Sequence, residues 1–458
     1  MSARPQPPAV TIAAIATPPG RGGVGIVRVS GADLDAIVRG IVGRVLAPRT
    51  ATHAVLRGAR GEPLDEGLAL LFPAPASYTG ETVLELQGHG SPAALRLVLA
   101  RCLELGACLA APGEFTRRAF LNGKLDLAQA ESVADLIDAH TSAAARAAAR
   151  SLTGEFSREV RALVDAVTEL RMLTEATLDF PEEDIEFVRE ADAAGRLARL
   201  SGRLAGLLAR AATGARLNEG LTVVLAGRPN VGKSSLLNRL VREEAAIVTP
   251  IPGTTRDTVE RQVEVGGIPV TVVDTAGLRA TEDAVEKIGI ERTWAAIDRA
   301  DLALVLVDAR DAQPVLDAED AAIVARLPMR LPRVVVHNKT DLADVAPRRS
   351  AVDGRTHIWL SALTGAGMHL LEHEMLAVAG VASAAEDTFI ARARHVEALR
   401  EAATHLARAT AHIEACAPPL ELFAEELREA QDALSSITGE FTPDDLLGVI
   451  FSRFCIGK

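Results

Sequence analysis

The chain has 458 residues, a formal net charge of −12 and 48% hydrophobic residues. That length suggests about two to four domains at roughly 100–200 residues each, and the acidic balance argues against indiscriminate binding to nucleic acid or anionic membranes while leaving room for a local basic patch. Aromatics make up 3%, with a single tyrosine, Tyr78, and two tryptophans, Trp294 and Trp359, so the cores must be aliphatic and a surface that stacks many bases on aromatic platforms is disfavoured.

Residues 1–122 hold short β-like runs at Val10–Ile15, Gly25–Val29, Leu68–Phe72 and Thr82–Leu86, with a helix-like segment at Pro92–Leu105. Pro-Pro-Gly-Arg-Gly-Gly at 18–23 reads as a loop between two apolar runs. This is a mixed α/β domain. From 123 to 215 Ala, Leu, Arg and Glu dominate, and the apolar period favours long helices. The same texture returns from about 384 to 450, broken by Pro418-Pro419 and Pro443. Between them, 216–383 alternate strand-like and helix-like runs. Leu221–Ala226, Val270–Asp274, Leu302–Asp308, Val334–His337 and His357–Leu360 are short and continuously apolar, as buried parallel strands are. Thr258–Val265 alternates instead, and Gly266-Gly267 can turn it into a hairpin with Val270–Val273. The expectation is a multidomain α/β and α protein with a doubly wound α/β domain inserted into a helical one; two separate helical domains are the alternative.

Four cysteines, Cys102, Cys108, Cys416 and Cys455, form no CxxC pair and no disulfide framework, which suits a reducing, cytoplasmic compartment. The first residues lack the apolar core of a signal peptide, and no stretch of about 20 residues is apolar enough to span a bilayer.

Gly227-Arg-Pro-Asn-Val-Gly-Lys-Ser234 completes the GxxxxGK[ST] pattern between a strand and a helix-forming run. Its glycines let backbone N–H groups approach phosphate oxygens, Lys233 sets a charge on the β and γ phosphates, and Ser234 offers a hydroxyl to Mg²⁺. Asn230, Val231, Gly232 and Ser235 complete the cradle. Asp274-Thr275-Ala276-Gly277 closes a strand, where Asp274 can hold the water shell of Mg²⁺ and the Gly277 N–H can meet the γ phosphate. Asn338-Lys339-Thr340-Asp341 and Ser361-Ala362-Leu363 follow two later strands. Asp341 can accept from both the ring N–H and the exocyclic amine of guanine, Asn338 and Lys339 frame the ring, and the 361–363 backbone can donate to the guanine carbonyl. Thr249-Pro250-Ile251-Pro252-Gly253-Thr254-Thr255 lies where a switch loop belongs. The position of the water-orienting glutamine of Ras-like hydrolases is Leu278, which cannot do that task; Glu286 is the candidate substitute.

Taken with these motifs, Ala16-Thr-Pro-Pro-Gly-Arg-Gly-Gly-Val-Gly-Ile, Ser77-Tyr-Thr-Gly-Glu, Leu84-Glu-Leu-Gln-Gly-His-Gly, the run from Ala111 to Leu127, Gly253-Thr-Thr-Arg-Asp and the terminal Phe454-Cys-Ile-Gly-Lys458 resemble the MnmE (TrmE) family of tRNA uridine-modification GTPases over nearly the whole chain. The resemblance implies an N-terminal tetrahydrofolate-binding and dimerisation domain (1–122), a discontinuous helical domain (123–215 and 384–458) and an inserted Ras-like G domain (216–383). It implies a homodimer, a flavoprotein partner similar to MnmG that alone carries FAD, and tRNA as substrate. K⁺ would be held by Asn230, Thr249, Ile251 and Thr254, and Mg²⁺ by Ser234 and Thr255. Glu286 would position the attacking water. The folate pocket would comprise Arg28, Glu85, Lys124 and Lys458, with Cys455 a second-tier catalytic candidate whose other reading is a packed thiol. Cys102, Cys108 and Cys416 read as packing, and His89 as a structural histidine before a pocket one. Arg117, Arg118 and Lys124 are basic residues near the expected pocket. A ribosome-assembly switch GTPase without folate chemistry is the competing reading; the N-terminal segments and Cys455 discriminate against it.

Overall fold

The structure is a computed structural model that describes residues 10–179, 192–243, 260–274, 297–311, 318–325, 327–352, 354–380, 388–415, 419–440, 444–452 and 454–457. The chain divides into two compact units, 1–134 with 152–191 and 411–458, and 135–151 with 192–410.

The first unit is built on a six-stranded sheet. Its strands are β1 (Ile12–Ile15), β2 (Gly22–Gly31), β3 (Thr52–Arg57), β4 (Pro63–Phe72), β5 (Thr82–Gly90) and β6 (Cys108–Leu109), in the order β3-β4-β5-β2-β1-β6. All pairs are antiparallel except β1 with β6. One face carries Val27, Val29, Leu84 and Leu86, covered by α1 (Asp35–Val42) and α2 (Pro92–Glu104). Helix α2 begins where Ser91 caps Ala94 N–H and Pro92 fills the first turn, a position that lacks an N–H partner in any case. Because successive strand residues point to opposite faces, Arg28, Ser30 and Glu85 stand on the other face. Against that face pack Phe115 of α3 (Glu114–Leu121), with Ile12, Ala14 and Tyr78.

A second apolar cluster joins Phe120 and α4 (Leu127–Ile137) to α14 (Asp444–Ser452) and Phe454. Long helices α6 (Glu155–Asp179) and α13 (Leu420–Thr438) pack together, with Arg171 donating to Gln431 Oε1 at 2.7 Å.

The second unit has a seven-stranded sheet in the order β12-β13-β11-β10-β7-β9-β8. The strands are β7 (Leu221–Gly227), β8 (Glu260–Val265), β9 (Ile268–Asp274), β10 (Leu302–Asp308), β11 (Arg333–Asn338), β12 (Arg348–Val352) and β13 (Arg355–Trp359). The five inner strands are parallel; β8 and β12 are antiparallel edges. Every residue of β10 is buried, as a central strand sandwiched between two cores requires. One core contains α5 (Ser142–Leu152), α7 (Ala193–Glu219), α8 (Lys233–Glu243) and α11 (Met368–Val378); the other contains α9 (Ala318–Ala325) with Leu327 and Leu331. This is the doubly wound sheet expected from the apolar runs, and it fits the Ras-like G domain that the resemblance implies. No helix among the described residues is long and apolar enough to cross a membrane.

Candidate functional site

Strand β7 delivers the chain to a loop that turns into α8 at Lys233. Gly227, Asn230 and Gly232 all have positive φ (146°, 64° and 99°). At Gly232 a Cβ would stand 2.2 Å from Asn338 Nδ2, so only glycine fits. Val231 is buried in the core beside Leu236 and Leu240 and anchors the loop. Lys233 Nζ donates to Gly227 O (2.7 Å) and Arg228 O (2.9 Å), so its ammonium lies across the mouth of the loop. Ser234 and Ser235 are exposed on the first turn of α8, where N–H groups lack intrahelical partners and the helix dipole favours an anion.

The segments expected to read guanine are tied to this loop. Asn338, 2% exposed, donates through Nδ2 to Val231 O and accepts from Ala362 N–H at Oδ1, both at 2.9 Å. One amide thereby locks three segments together. Lys339, itself at φ 69°, donates to Asn230 O (2.7 Å) and pairs with Asp308 Oδ2 (2.8 Å). Asp341 is exposed and its Oδ1 accepts from Ser361 Oγ at 2.5 Å. Arg310 grips Asp308 with two nitrogens (3.0 and 2.7 Å), and these guanidinium bonds, then the Lys339 ammonium, hold the Asp308 carboxyl far below the usual carboxylate range in spite of burial.

Asp308, Arg310 and Arg239 are contributors that motif reading missed. Arg239 of α8 braces the third segment by donating to Ala362 O (3.1 Å) and Leu363 O. Asp308 had a signal, since it ends a strand and lies in register with Asn338; Arg239 had none. Asp274 ends β9, opposite Leu225 of β7. Thr249, Pro250, Ile251, Pro252, Gly253, Thr254, Thr255, Thr275, Ala276, Gly277, Leu278 and Glu286 lie outside the described residues, as do Cys416 and Lys458.

In the first unit, Arg28 and Glu85 are direct cross-strand partners and form a 2.9 Å ion pair with side chains 15% and 17% exposed. The Arg28 guanidinium lies 5.5 Å from the Tyr78 ring centroid and 5.8 Å from that of Phe115, and Nη1 donates to Gly457 O at 3.3 Å. Strand β2 thus meets the segment that holds Gly457. Gly457 has φ 97°, and a Cβ there would stand 2.4 Å from Ile15 O, so the terminal segment seats on β1 only as glycine. Tyr78 bonds Thr116 through its hydroxyl (2.8 Å), and burial pushes its phenol above the ordinary value. Behind it, Ser30 Oγ bonds Thr79 Oγ1 (2.8 Å) and Glu81 Oε2 (2.7 Å), and Arg118 pairs with Glu81 and Glu114. Arg118 therefore serves this loop network. Lys124 is exposed; its Nζ donates to Pro75 O at 3.2 Å.

Cysteine readings change. Cys455 is exposed, which removes its packed-core reading; its carbonyl accepts from Gly113 N–H at 3.4 Å. Cys108 is also exposed, because its two-residue strand lies at the sheet edge, whereas Cys102 is buried with its thiol pushed up to about 12 by burial. His89 is held by a partner of its own, as a structural histidine is: its side chain is 73% exposed and its Nδ1 meets Asp65 Oδ1 at 2.7 Å, a bond that raises its pKa.

The donor chemistry suits the groups expected. The Ser234 hydroxyl at a helix start is a hard oxygen appropriate to Mg²⁺, and the exposed Asn230 at the loop tip offers an amide oxygen appropriate to K⁺. A half-buried guanidinium–carboxylate pair beside two rings suits a planar ligand with an amidine-like edge and an anionic tail.

The family profile described as "GTP-binding protein TrmE N-terminus" matches residues 11–124, and that described as "MnmE helical domain" matches 127–455. Proteins named tRNA modification GTPase MnmE are similar along their full length. That of Ralstonia nicotianae is 60% identical over 98% of this chain and 97% of its own; that of Chromobacterium violaceum is 58% identical over 98% of each. The Azoarcus protein is 58% identical over 100% of both. With family profiles matched over 11–124 and 127–455 and relatives up to 60% identical over 98% of the chain, the chain belongs to the MnmE family of tRNA modification GTPases.

Proposed function

We propose that this GTPase works in tRNA wobble-uridine modification, through a K⁺-stimulated cycle in which paired G domains close and reopen around each GTP. A flavoprotein partner carrying FAD would share the modification, which adds an aminomethyl or carboxymethylaminomethyl group at carbon five. The proposed division is an N-terminal domain over 1–122 that binds a tetrahydrofolate derivative and forms the homodimer, a helical domain over 123–215 and 384–458, and a G domain over 216–383. The setting is the cytoplasm.

Lys233 would leave its loop carbonyls for the β and γ phosphates, and the first turn of α8 would receive the phosphate charge. Mg²⁺ on Ser234 and Thr255 would neutralise charge on the β and γ oxygens, with Asp274 on its water shell. Asn230, Thr249, Ile251 and Thr254 would hold K⁺, which adds positive charge where an arginine finger acts in other GTPases. Glu286 would orient the water in place of the glutamine absent at Leu278. Asp341 would read guanine, framed by Asn338 and Lys339, with Ser361 and Ala362 closing the carbonyl side. Val231, Gly232, Ser235, Pro250, Pro252, Gly253, Thr275, Ala276 and Gly277 complete the nucleotide contacts. In the N-terminal domain Arg28, Glu85, Lys124 and Lys458 would hold the folate, which supplies a one-carbon unit, with Cys455 nearby.

The observation that supports this reading over a ribosome-assembly switch is the meeting of Arg28 and Glu85 with the chain terminus at Gly457. An assembly GTPase has no use for that pair. Calorimetric titration with 5-formyl-tetrahydrofolate tests it: binding is expected, and Arg28→Ala is expected to abolish it. No binding by the wild type would end the folate reading. GTP turnover in K⁺ against Na⁺ buffer tests the cation; equal rates would remove Asn230 from its role.

A further inference from the structure

The second unit carries a cleft of about 720 Å³ on the sheet face opposite the Asn338 side chain. Its floor is one lateral row across three strands. His337 of β11, Trp359 of β13 and Arg348 of β12 are register partners. The rings of His337 and Trp359 stack at 4.3 Å and 3°, and the Arg348 guanidinium lies 4.3 Å from the Trp359 ring centroid. The inner end of the row is buried and bonded, His337 Nε2 to His357 Nδ1 at 2.9 Å. The outer end, Arg348, is exposed. Leu342, Val345 and Arg310 also line the cleft.

The charge of this lining departs from that of the chain. Among the described lining residues are two arginines and neither Asp nor Glu, in a protein with 61 acidic and 49 basic residues. Arg310 is paired with Asp308, but Lys339 shares that carboxylate, so the trio keeps one positive charge. Arg355, also exposed, stands on the same face of β13 as Trp359. A volume in the usual ligand range, a guanidinium held beside a ring and uncompensated positive charge match a base with a phosphate. The described lining contains no glycine, and so lacks the close N–H cradle that a di- or triphosphate finds at Gly227–Ser234. That favours a phosphodiester.

We propose that this cleft is an RNA contact: it takes a nucleotide unit of a single-stranded RNA segment, the base on the Arg348 guanidinium and its phosphates against Arg310 and Arg355. The proposal rests on the reading that tRNA is the substrate. The site also adjoins the guanine-reading loop, since Arg310, Asp308 and Lys339 form a bonded chain ending on Asn230 O.

The test is fluorescence anisotropy of labelled, unmodified tRNA with the full chain over a series of KCl concentrations. Arg348→Glu and Ser350→Glu are each expected to weaken binding about tenfold, and Arg355→Gln, which removes a phosphate contact, to lower the slope of log K against log salt by about one. Melting temperature and affinity for labelled GDP should stay at wild-type values. Folded variants that bind tRNA with wild-type affinity and slope would overturn the cleft. So would saturable binding of UMP or AMP blocked by Arg348→Glu while tRNA affinity is untouched, which would make it a mononucleotide site. A wild-type protein that binds no tRNA would overturn the tRNA reading together with the cleft.

Discussion

The Arg28–Glu85 pair separates a structural role from a ligand role by a double-mutant cycle. Both side chains are more than four-fifths removed from solvent and sit as cross-strand partners under Tyr78 and Phe115. Removing one partner leaves a charge in a half-dry site, which costs about 3 kcal/mol, at the lower end for a broken buried pair because some solvent reaches it. Arg28→Met and Glu85→Leu should each therefore lower the melting temperature of the first unit by about 6–12 °C, at about 2–4 °C per kcal/mol for a unit of this size. The double variant replaces the pair with apolar groups of similar volume and should recover most of that loss. Differential scanning calorimetry measures the four species; with a residual loss of about 1 kcal/mol in the double variant against two single losses of about 3 kcal/mol, the expected coupling is about 5 kcal/mol. Folate titration then divides the roles: the double variant should be stable and still fail to bind 5-formyl-tetrahydrofolate. Additive losses across the cycle would refute the buried-pair argument. Recovery of folate binding in the double variant would refute the ligand role.

Asp308→Asn weakens the grip on Lys339, and with it the tie to Asn230 O, so labelled GDP should dissociate about tenfold faster in stopped flow with little change in melting temperature. Gly457→Ala forces a Cβ against Ile15 O at a left-handed φ, at a cost of about 1–3 kcal/mol, and should impair folate binding while leaving GDP binding intact. Burial, then the positive neighbours His357 and Arg348, depress His337 to about 4. The unfolded chain takes up a proton below about 6.5 that the folded state refuses. Stability from this group is thus complete above pH 6.5 and falls as pH drops towards about 4. Urea midpoints should show that fall in the wild type and less of it in His337→Gln. His89 is displaced the other way by its bond to Asp65. Its contribution is present below the unfolded histidine pKa and lost as pH rises through the folded value, and Asp65→Asn should return the NMR midpoint to the ordinary range.

The elements most legible in the sequence are those that are dry on both faces. Leu302–Asp308 reads as a strand because nothing polar interrupts it, and it is buried throughout. The Gly266-Gly267 hairpin is legible for a different reason: both glycines take positive φ, 56° and 87°, as a tight turn demands. Arg348–Val352 is illegible because an edge strand needs only one partner and faces solvent, so Arg-Arg-Ser-Ala-Val carries no apolar alternation. The exposure of Cys108 is illegible for the related reason that a two-residue edge strand has no pattern at all. The phosphate loop announces itself because its chemistry is local, within Gly227–Ser234. The Arg28–Glu85 pair is the opposite case: its partners are 57 residues apart, and only the sheet register brings them together.

The two candidate sites share one physical device, a polar side chain that fastens chain segments remote in sequence. Asn338 satisfies a carbonyl of the phosphate loop and an N–H of the last guanine-reading segment with opposite ends of one amide. Arg28 satisfies Glu85 and the carbonyl of Gly457 with different nitrogens of one guanidinium. In each case a glycine at positive φ, Gly232 or Gly457, lets the partner backbone come close enough. Such a fastener adds little net stability, because it exchanges bonds with water for bonds within the protein. It does specify geometry, since a buried donor left unpaired costs more than a formed bond gains. The chain therefore holds its nucleotide loops and its terminal segment in place by penalising their absence. A substitution at either fastener should reach ligand affinity, and at Arg28, where it strands the Glu85 carboxylate, it reaches the fold as well.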